Sequence, residues 1–318
     1  MPRRSGLSTP AFLLSTAIGV ALFTLIVMVM GARLDSGPKD PEPASQAEQA
    51  RQQAALDLDV LTRGAAQLGE EDLEEIASSE LAEIGGVWVP WPDEVPEGKS
   101  NPPIHPLPEN LDVAGLTELF DGAIDSSREA LTSAPDTEVA RYASQFMVLL
   151  AERRAWGAEV EADPLPAPLT ADELAALVSD SETFLRLSTA EQWLEVAAAR
   201  ASDEQREALA KQAQQLSVLT FAMSEAAASA NPPIYAPLPD WFWESAEDPA
   251  APLRLRTESA KLITSHAIFL AGQVAPEYRA DVLRSLLALT SRADTEEIIA
   301  TAVAAPEPVA DETPADEE

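Results

Sequence analysis

The residues of this chain that could do chemistry are mostly carboxylates, and few other reactive groups accompany them. Its 318 residues include 54 Asp and Glu, two histidines and no cysteine. A helical di-iron centre needs a glutamate three residues before each histidine ligand. Proline and isoleucine hold those positions before His105 and His266. Because cysteine is absent, thiolate catalysis and zinc–thiolate sites are excluded, and we predict no metal site and no cofactor.

Two groups of glutamates share a helix face in the stretch 70–84. They are Glu71, Glu74 and Glu75 in one group and Glu80 and Glu83 in the other. Charged side chains at helical spacing are mostly exposed, so we interpret both groups as solvated faces. Weak binding of a divalent cation is the alternative.

No pattern in the sequence predicts a catalytic residue. His266 follows the apolar spacing of Leu262, Ile263 and Leu270, where a histidine is usually a core residue bonded to a backbone or hydroxyl group. The chain has no G-x-S-x-G, no Walker loop and no G-x-G-x-x-G. We therefore expect that the protein is not an enzyme.

Two related proline-rich segments, which we call the straps, organise the chain. The first strap is 101–109 (NPPIHPLPE) and the second is 231–240 (NPPIYAPLPD), which matches it with Ala236 inserted. Proline removes a backbone N–H and fixes φ, and it pushes the preceding residue toward extended backbone. Both straps are therefore predicted to be stiff, non-helical connections between helices.

Aromatic residues concentrate at the straps, although they make up only 5% of the chain. We select them as candidate partner- or ligand-binding residues: Trp88, Trp91, His105, Tyr235, Trp241, Phe242 and Trp243. Packing of tryptophan on proline could fasten each strap to the helices. Alternatively, the rings form a docking surface, since aromatic residues are enriched in binding hot spots. A third interpretation is contact with the outer membrane leaflet, because tryptophan favours membrane interfaces.

The net charge of −33 limits the possible partners. Such a surface repels phosphate backbones, so we exclude nucleic acid, and an anionic membrane surface is also unfavourable for the soluble part. Cationic proteins, loosely held metal ions and apolar surfaces are the favoured partners.

The N-terminus predicts a membrane anchor. Residues 11–32 contain no charged residue, and as a helix of about 33 Å they would span a bilayer. Arg3 and Arg4 precede this run, so the positive-inside rule favours a cytoplasmic N-terminus with the bulk of the chain outside. We predict an uncleaved, single-pass signal anchor; a cleaved signal peptide is the alternative, although Met30 stands where a small residue is wanted.

The remainder reads as an all-α protein, an antiparallel helical bundle or array with the two straps. The predicted parts are a cytoplasmic N-terminus 1–10, the transmembrane segment 11–32, a Pro-rich tether 33–45, a first helical half 46–162, a linker 163–169, a second helical half 170–303 and a disordered acidic tail 304–318. Thr170 with Glu173 and Ser188 with Glu191 predict helix N-termini.

Both halves contain a helix, a strap, a helix, an Ala-Pro-acid break and a further helix. The breaks are Ala-Pro-Asp at 134–136 and Ala-Pro-Glu at 275–277. An internal duplication explains this order; a coincidental recurrence of proline is the alternative.

Two hairpin segments carry a resemblance to a known group of proteins. LTELFDGAIDSSREALTSAPDTEVARYASQFMVLLAERRAWGAE and LRLRTESAKLITSHAIFLAGQVAPEYRADVLRSLLAL resemble the Ala- and Arg-rich hairpins of actinobacterial ferritin-like envelope proteins that lack a metal site. The resemblance implies a helical bundle on the outer face of the membrane of a high-GC Gram-positive bacterium.

The expected function is that of a membrane-anchored, extracytoplasmic interaction or scaffold protein of the bacterial cell envelope, with another envelope or membrane protein as its partner. The alternative is a small-molecule or lipid-binding carrier with an apolar pocket near the tryptophans. An exposed aromatic patch would favour the first, and an enclosed apolar cavity the second.

Overall fold

The structure is a computed structural model that describes residues 9–34, 42–93, 95–101, 105–156, 165, 167–178, 180–226, 237–244 and 248–304. Residues 102–104 of the first strap and 231–236 of the second, with Tyr235, lie outside the described residues, as do 35–41 of the tether and 305–318 of the tail. The described residues form helices and no strand, which confirms the all-α prediction.

Twelve α-helices are found in the described residues. They are α1 (Thr9–Leu34), α2 (Gln46–Leu68), α3 (Glu71–Glu83), α4 (Val113–Ser133), α5 (Val139–Trp156), α6 (Ala171–Val178), α7 (Ser181–Arg200), α8 (Asp203–Ala226), α9 (Asp240–Glu244), α10 (Ala251–Ala271), α11 (Arg279–Leu287) and α12 (Thr295–Val303). Helix α12 has no counterpart in the sequence prediction.

The chain divides into two compact units, and the smaller one comprises Met1–Pro43 and Val89–Ile104. In this unit the side-chain amide of Asn101 closes the loop that begins at Trp91. Its oxygen accepts from the Trp91 backbone N–H at 3.0 Å, and its nitrogen donates to the Trp91 carbonyl at 2.9 Å. The first residue of the first strap thus fixes the backbone of one predicted aromatic residue.

Helix α1 also belongs to this smaller unit. For α1, the structure describes the side chains of residues 16–28. Among the described residues, no helix has a stretch that is long and apolar enough to cross a membrane. The predicted transmembrane segment gains no support from this finding.

The larger unit comprises Ala44–Trp88 and His105–Glu318 and contains the helices of both predicted halves. Helix α2 packs against α3 and α4, α4 against α5, and α5 against α10, α11 and α12; α10 then packs against α7, α7 against α8 and α8 against α6. The core is made largely of alanine and leucine, and Phe120, Phe146 and Phe242 are its largest fully buried side chains.

The Ala-Pro-acid breaks have the same backbone conformation in both places. Ala134 has φ −63° and ψ 136°, and Ala275 has φ −60° and ψ 146°, which is the extended backbone expected before proline. A short 3₁₀ turn follows each, Asp136–Glu138 and Pro276–Tyr278. The predicted breaks are confirmed, and they turn α4 into α5 and α10 into α11.

The two predicted helix N-termini have different outcomes. Thr170 and Glu173 exchange hydrogen bonds as a capping box before α6, as predicted. The start predicted at Ser188 is wrong, because α7 already begins after Asp180, whose carboxylate accepts from two backbone N–H groups at 2.9 Å. The Ser188 hydroxyl instead donates to the Phe184 carbonyl one turn back, as serine often does inside a helix.

Arginine side chains close the C-terminal ends of several helices, where carbonyl groups lack an intrahelical partner. Arg279 and Arg154 are both buried. Arg279 donates to the carbonyls of Leu131 and Ala134 at the end of α4, and to the carboxylate of Asp136 at 2.9 Å.

Three further arginines repeat this arrangement on other helices. Arg154 donates to the carbonyls of Leu287 and Thr290 after α11, both at 2.7 Å; Arg51 donates to those of Ile84 and Gly86 after α3; and Arg206 donates to that of Ala201 after α7. The positive charge also interacts favourably with the negative end of each helix dipole.

We expect Arg279→Met to lower the free energy of unfolding by about 2–4 kcal/mol, because it leaves buried carbonyl groups without a donor. Arg128→Met is the control, since Arg128 is exposed on α4 and, among the described residues, forms an ion pair with Asp125 alone; its effect should stay within about 0.5 kcal/mol. Urea unfolding of the two variants measures the difference, and equal effects would contradict the proposed helix closure.

Candidate aromatic–arginine binding site

Helix α9 positions the aromatic residues that follow the second strap. The Phe242 ring is fully buried and fixes this five-residue helix to the core. Its neighbours Trp241 and Trp243 meet the Phe242 ring edge-on, with ring centroids 5.8 and 6.1 Å away. Trp241 is half-buried, whereas 60% of Trp243 is exposed. The buried ring therefore presents a large exposed tryptophan in a fixed position.

Two arginines from neighbouring helices stack on these rings. The Cζ atom of Arg200, the last residue of α7, lies 4.7 Å from the Phe242 ring centroid and 5.9 Å from that of Trp243. The Cζ atom of Arg254, in the first turn of α10, lies 4.4 Å from the centroid of Trp241. These distances allow cation–π attraction. We call Arg200, Trp241, Phe242, Trp243 and Arg254 the aromatic–arginine cluster.

Of the remaining predicted residues, Trp88 and His105 are outside the cluster, and Tyr235 is not among the described residues. Trp88 is exposed beyond α3, and His105 is an exposed residue whose carbonyl accepts from Arg63 at 2.9 Å. Neither makes a ring contact with the cluster in the described part of the chain. Trp91 is half-buried and belongs to the other unit. The structure therefore brings together three of the seven predicted residues, and it adds two arginines that sequence reasoning missed.

His266 is a core residue, as its apolar surroundings predicted. Its Nε2 lies 2.9 Å from the hydroxyl of Thr183, and that hydroxyl lies 2.5 Å from the carboxylate of Asp180. Because the Thr183 proton is donated to Asp180, Nε2 of His266 must donate to the Thr183 oxygen. Burial, together with the positive charge of Arg186, lowers the pKa of His266. The group is thus a neutral structural donor.

Glu80 corrects the interpretation of the acidic faces. Together with Leu73 and Ala77 it lies on the buried face of α3, and only 5% of it is exposed. Burial and, to a smaller extent, the negative charge of Glu83 raise the pKa of Glu80 to about 7 from its ordinary 4.5. Glu71 and Glu75 are exposed, as predicted. Within the described residues, no three acidic or histidine side chains are placed to share a metal ion.

An open groove of about 510 Å³ lies between α7, α10 and α12. Trp193, Leu262, Lys261, Glu297 and Thr301 are among its lining residues, and none of the predicted aromatic residues is. The indole N–H of Trp193 is buried and has no acceptor among the described residues. The groove is open to solvent and so differs from the enclosed apolar pocket that a carrier near the predicted tryptophans would need.

Comparisons of the chain with family models, with curated proteins and with solved structures found no match. The resemblance to actinobacterial ferritin-like envelope proteins therefore remains an expectation from the sequence.

The buried carboxyl of Glu80 predicts a pH-dependent stability. The folded state binds this proton more tightly than the unfolded state, so the free energy of unfolding falls as pH rises from 4.5 to about 7. Glutamine at this position keeps the size and cannot ionise. We expect Glu80→Gln to match the wild type near pH 4.5 and to exceed its stability above about pH 8 by about 3 kcal/mol.

Urea unfolding at both pH values measures this effect. Glu75→Gln is the control, because Glu75 is an exposed glutamate of the same helix and should show no pH-dependent gain. An equal pH-dependent gain in the free energy of unfolding for both variants would mean that burial does not raise the pKa of Glu80.

Proposed function

We propose that this protein is a membrane-anchored, extracytoplasmic interaction or scaffold protein of a bacterial cell envelope. Another envelope or membrane protein docks on its aromatic–arginine cluster. The observation that carries the proposal is Trp243, a large apolar side chain that is 60% exposed although its helix is fixed to the core by Phe242.

The composition of the cluster supports a protein partner. Tryptophan and arginine are among the residues most enriched in binding hot spots. The rings and guanidinium groups already hold each other in place, so little side-chain entropy is lost when a partner binds. An exposed, fixed tryptophan ring suits a protein partner, whereas a small molecule is usually held in an enclosed pocket. For this reason we favour docking over the carrier alternative.

The membrane anchor is supported by the residues of α1. The helix has 26 residues and a length of about 39 Å. Between residues 16 and 28 its large apolar side chains are exposed all around the helix: Ile18, Val20, Leu22, Phe23, Leu25, Ile26, Val27 and Met28. A stretch that is apolar on every side needs apolar surroundings, which a lipid bilayer would supply to residues 16–28 and, by sequence, to the whole uncharged run 11–32. Arg3 and Arg4 favour a cytoplasmic N-terminus by the positive-inside rule.

We expect Trp243→Ala to abolish capture of the partner and to leave the urea midpoint almost unchanged, because the side chain is mostly solvent-exposed. The measurement is cross-linking in intact cells, followed by purification of the full chain and mass spectrometry. Phe221→Ala is a matched control, since Phe221 is a 64% exposed aromatic residue on α8 outside the cluster. Retention of the same partner by Trp243→Ala would refute docking at this surface.

The topology can be tested because the chain contains no cysteine. A single cysteine introduced as Ser78→Cys, at an exposed position of α3, should react with a membrane-impermeant maleimide in intact cells. Ser5→Cys should react only after lysis. The opposite labelling pattern would overturn the orientation, and a mature N-terminus near residue 33 would replace the anchor by a cleaved signal peptide.

A further inference from the structure

We propose that the aromatic–arginine cluster recognises a single carboxylate that lies next to an apolar side chain on the partner protein. This inference rests on the proposed function and adds the chemistry of the contact. Its starting point is the unusual state of Arg200 and Arg254, which are exposed and stacked on aromatic rings.

These two arginines lack the ion pairs that most others have. Among the described residues neither pairs with a carboxylate, although the chain has 54 acidic residues. Nine other arginines do form such pairs: Arg51, Arg63, Arg128, Arg141, Arg153, Arg186, Arg206, Arg256 and Arg279. In so acidic a chain, two exposed guanidinium groups that contact adjacent rings of α9, and that pair with no carboxylate among the described residues, are a candidate site for an anionic group.

The chemistry of the guanidinium group determines which anionic group fits. The Cζ atoms lie 4.7 and 4.4 Å from the ring centroids of Phe242 and Trp241, and a guanidinium group that lies flat over a ring keeps the N–H donors around its edge available for a partner. Those donors match the two oxygens of a carboxylate. The exposed ring of Trp243 lies 5.9 Å from the Cζ atom of Arg200, so an apolar residue beside the carboxylate would cover it.

The surrounding charge disfavours a partner segment with several carboxylates. Asp240 and Glu244, at the two ends of α9, are exposed acidic residues beside the cluster, and the chain as a whole carries −33. As chain neighbours of Trp241 and Trp243 they lie within the screening length of about 8 Å at physiological ionic strength from those residues, so they disfavour additional negative groups at the cluster. A polyacidic segment or an anionic membrane surface is therefore disfavoured.

Selection from a phage-displayed library of random heptapeptides on the full chain in detergent micelles tests the proposal. We expect recovered peptides to share one Asp or Glu next to a large apolar residue. Replacing that acid by its amide should weaken binding at least about tenfold, the loss expected for a charge-assisted contact. The double variant Arg200→Gln with Arg254→Gln should not distinguish acid from amide, whereas Arg128→Gln should.

A second double variant controls for loss of folding. Arg200→Lys with Arg254→Lys keeps both charges and removes the planar fork, and we expect it to retain only part of the preference for the acid. Recovery of peptides without an acidic residue would overturn the proposal. The proposal would also be overturned if the chain bound phosphatidylglycerol vesicles more tightly than the peptides, provided that this binding required the two arginines and was absent with phosphatidylcholine vesicles.

The two proposals fail in different ways. If the captured envelope protein is lost in Trp243→Ala but bound with unchanged affinity by the double arginine variant, the docking surface stands and the carboxylate is wrong. If Trp243→Ala also keeps the protein, the docking function itself is wrong.

Discussion

The interaction on which the larger unit depends is the hydrogen bond from a buried guanidinium group to the last carbonyls of a helix. The chain has 17 arginines against 54 acidic residues, and Arg154 and Arg279 are buried inside it. Each ties the first half of the chain to the second: Arg154 of α5 holds the end of α11, and Arg279 of α11 holds the end of α4. Both hydrogen bonds therefore connect segments that lie far apart in the sequence.

The groups that do titrate in the core respond to pH in opposite directions. Glu80 has a raised pKa, so its contribution to stability is lost as pH rises toward 7. His266 has a lowered pKa, so the unfolded state takes up its proton first and stability is lost as pH falls below the ordinary value of 6.5. The two contributions to the free energy of unfolding therefore partly offset each other in mildly acidic solution. Neither group belongs to the aromatic–arginine cluster.

Sequence reasoning succeeded where the cause was local. The Ala-Pro-acid breaks follow from proline alone, and the core position of His266 follows from its apolar neighbours. It failed where the outcome was decided by packing or competition. Ser188 resembles a cap, but Asp180 is the stronger acceptor and starts the helix earlier. Glu80 resembles its exposed neighbours, and only the packing of α3 buries it. The stacking of Arg200 and Arg254 joins the ends of different helices, so no sequence spacing could reveal it.

The closure of α4 by Arg279 has a consequence for how the protein is made. The two groups are separated by 145 residues in sequence, and contacts of such long range form late because the loop between them must first be closed. A ribosome that has produced α4 and α5 has not yet supplied the donor for the Leu131 and Ala134 carbonyls. The end of α4 therefore stays incompletely capped until α11 has been synthesised. Until then only water can donate to these carbonyls, so the closure of one helix depends on a segment made much later.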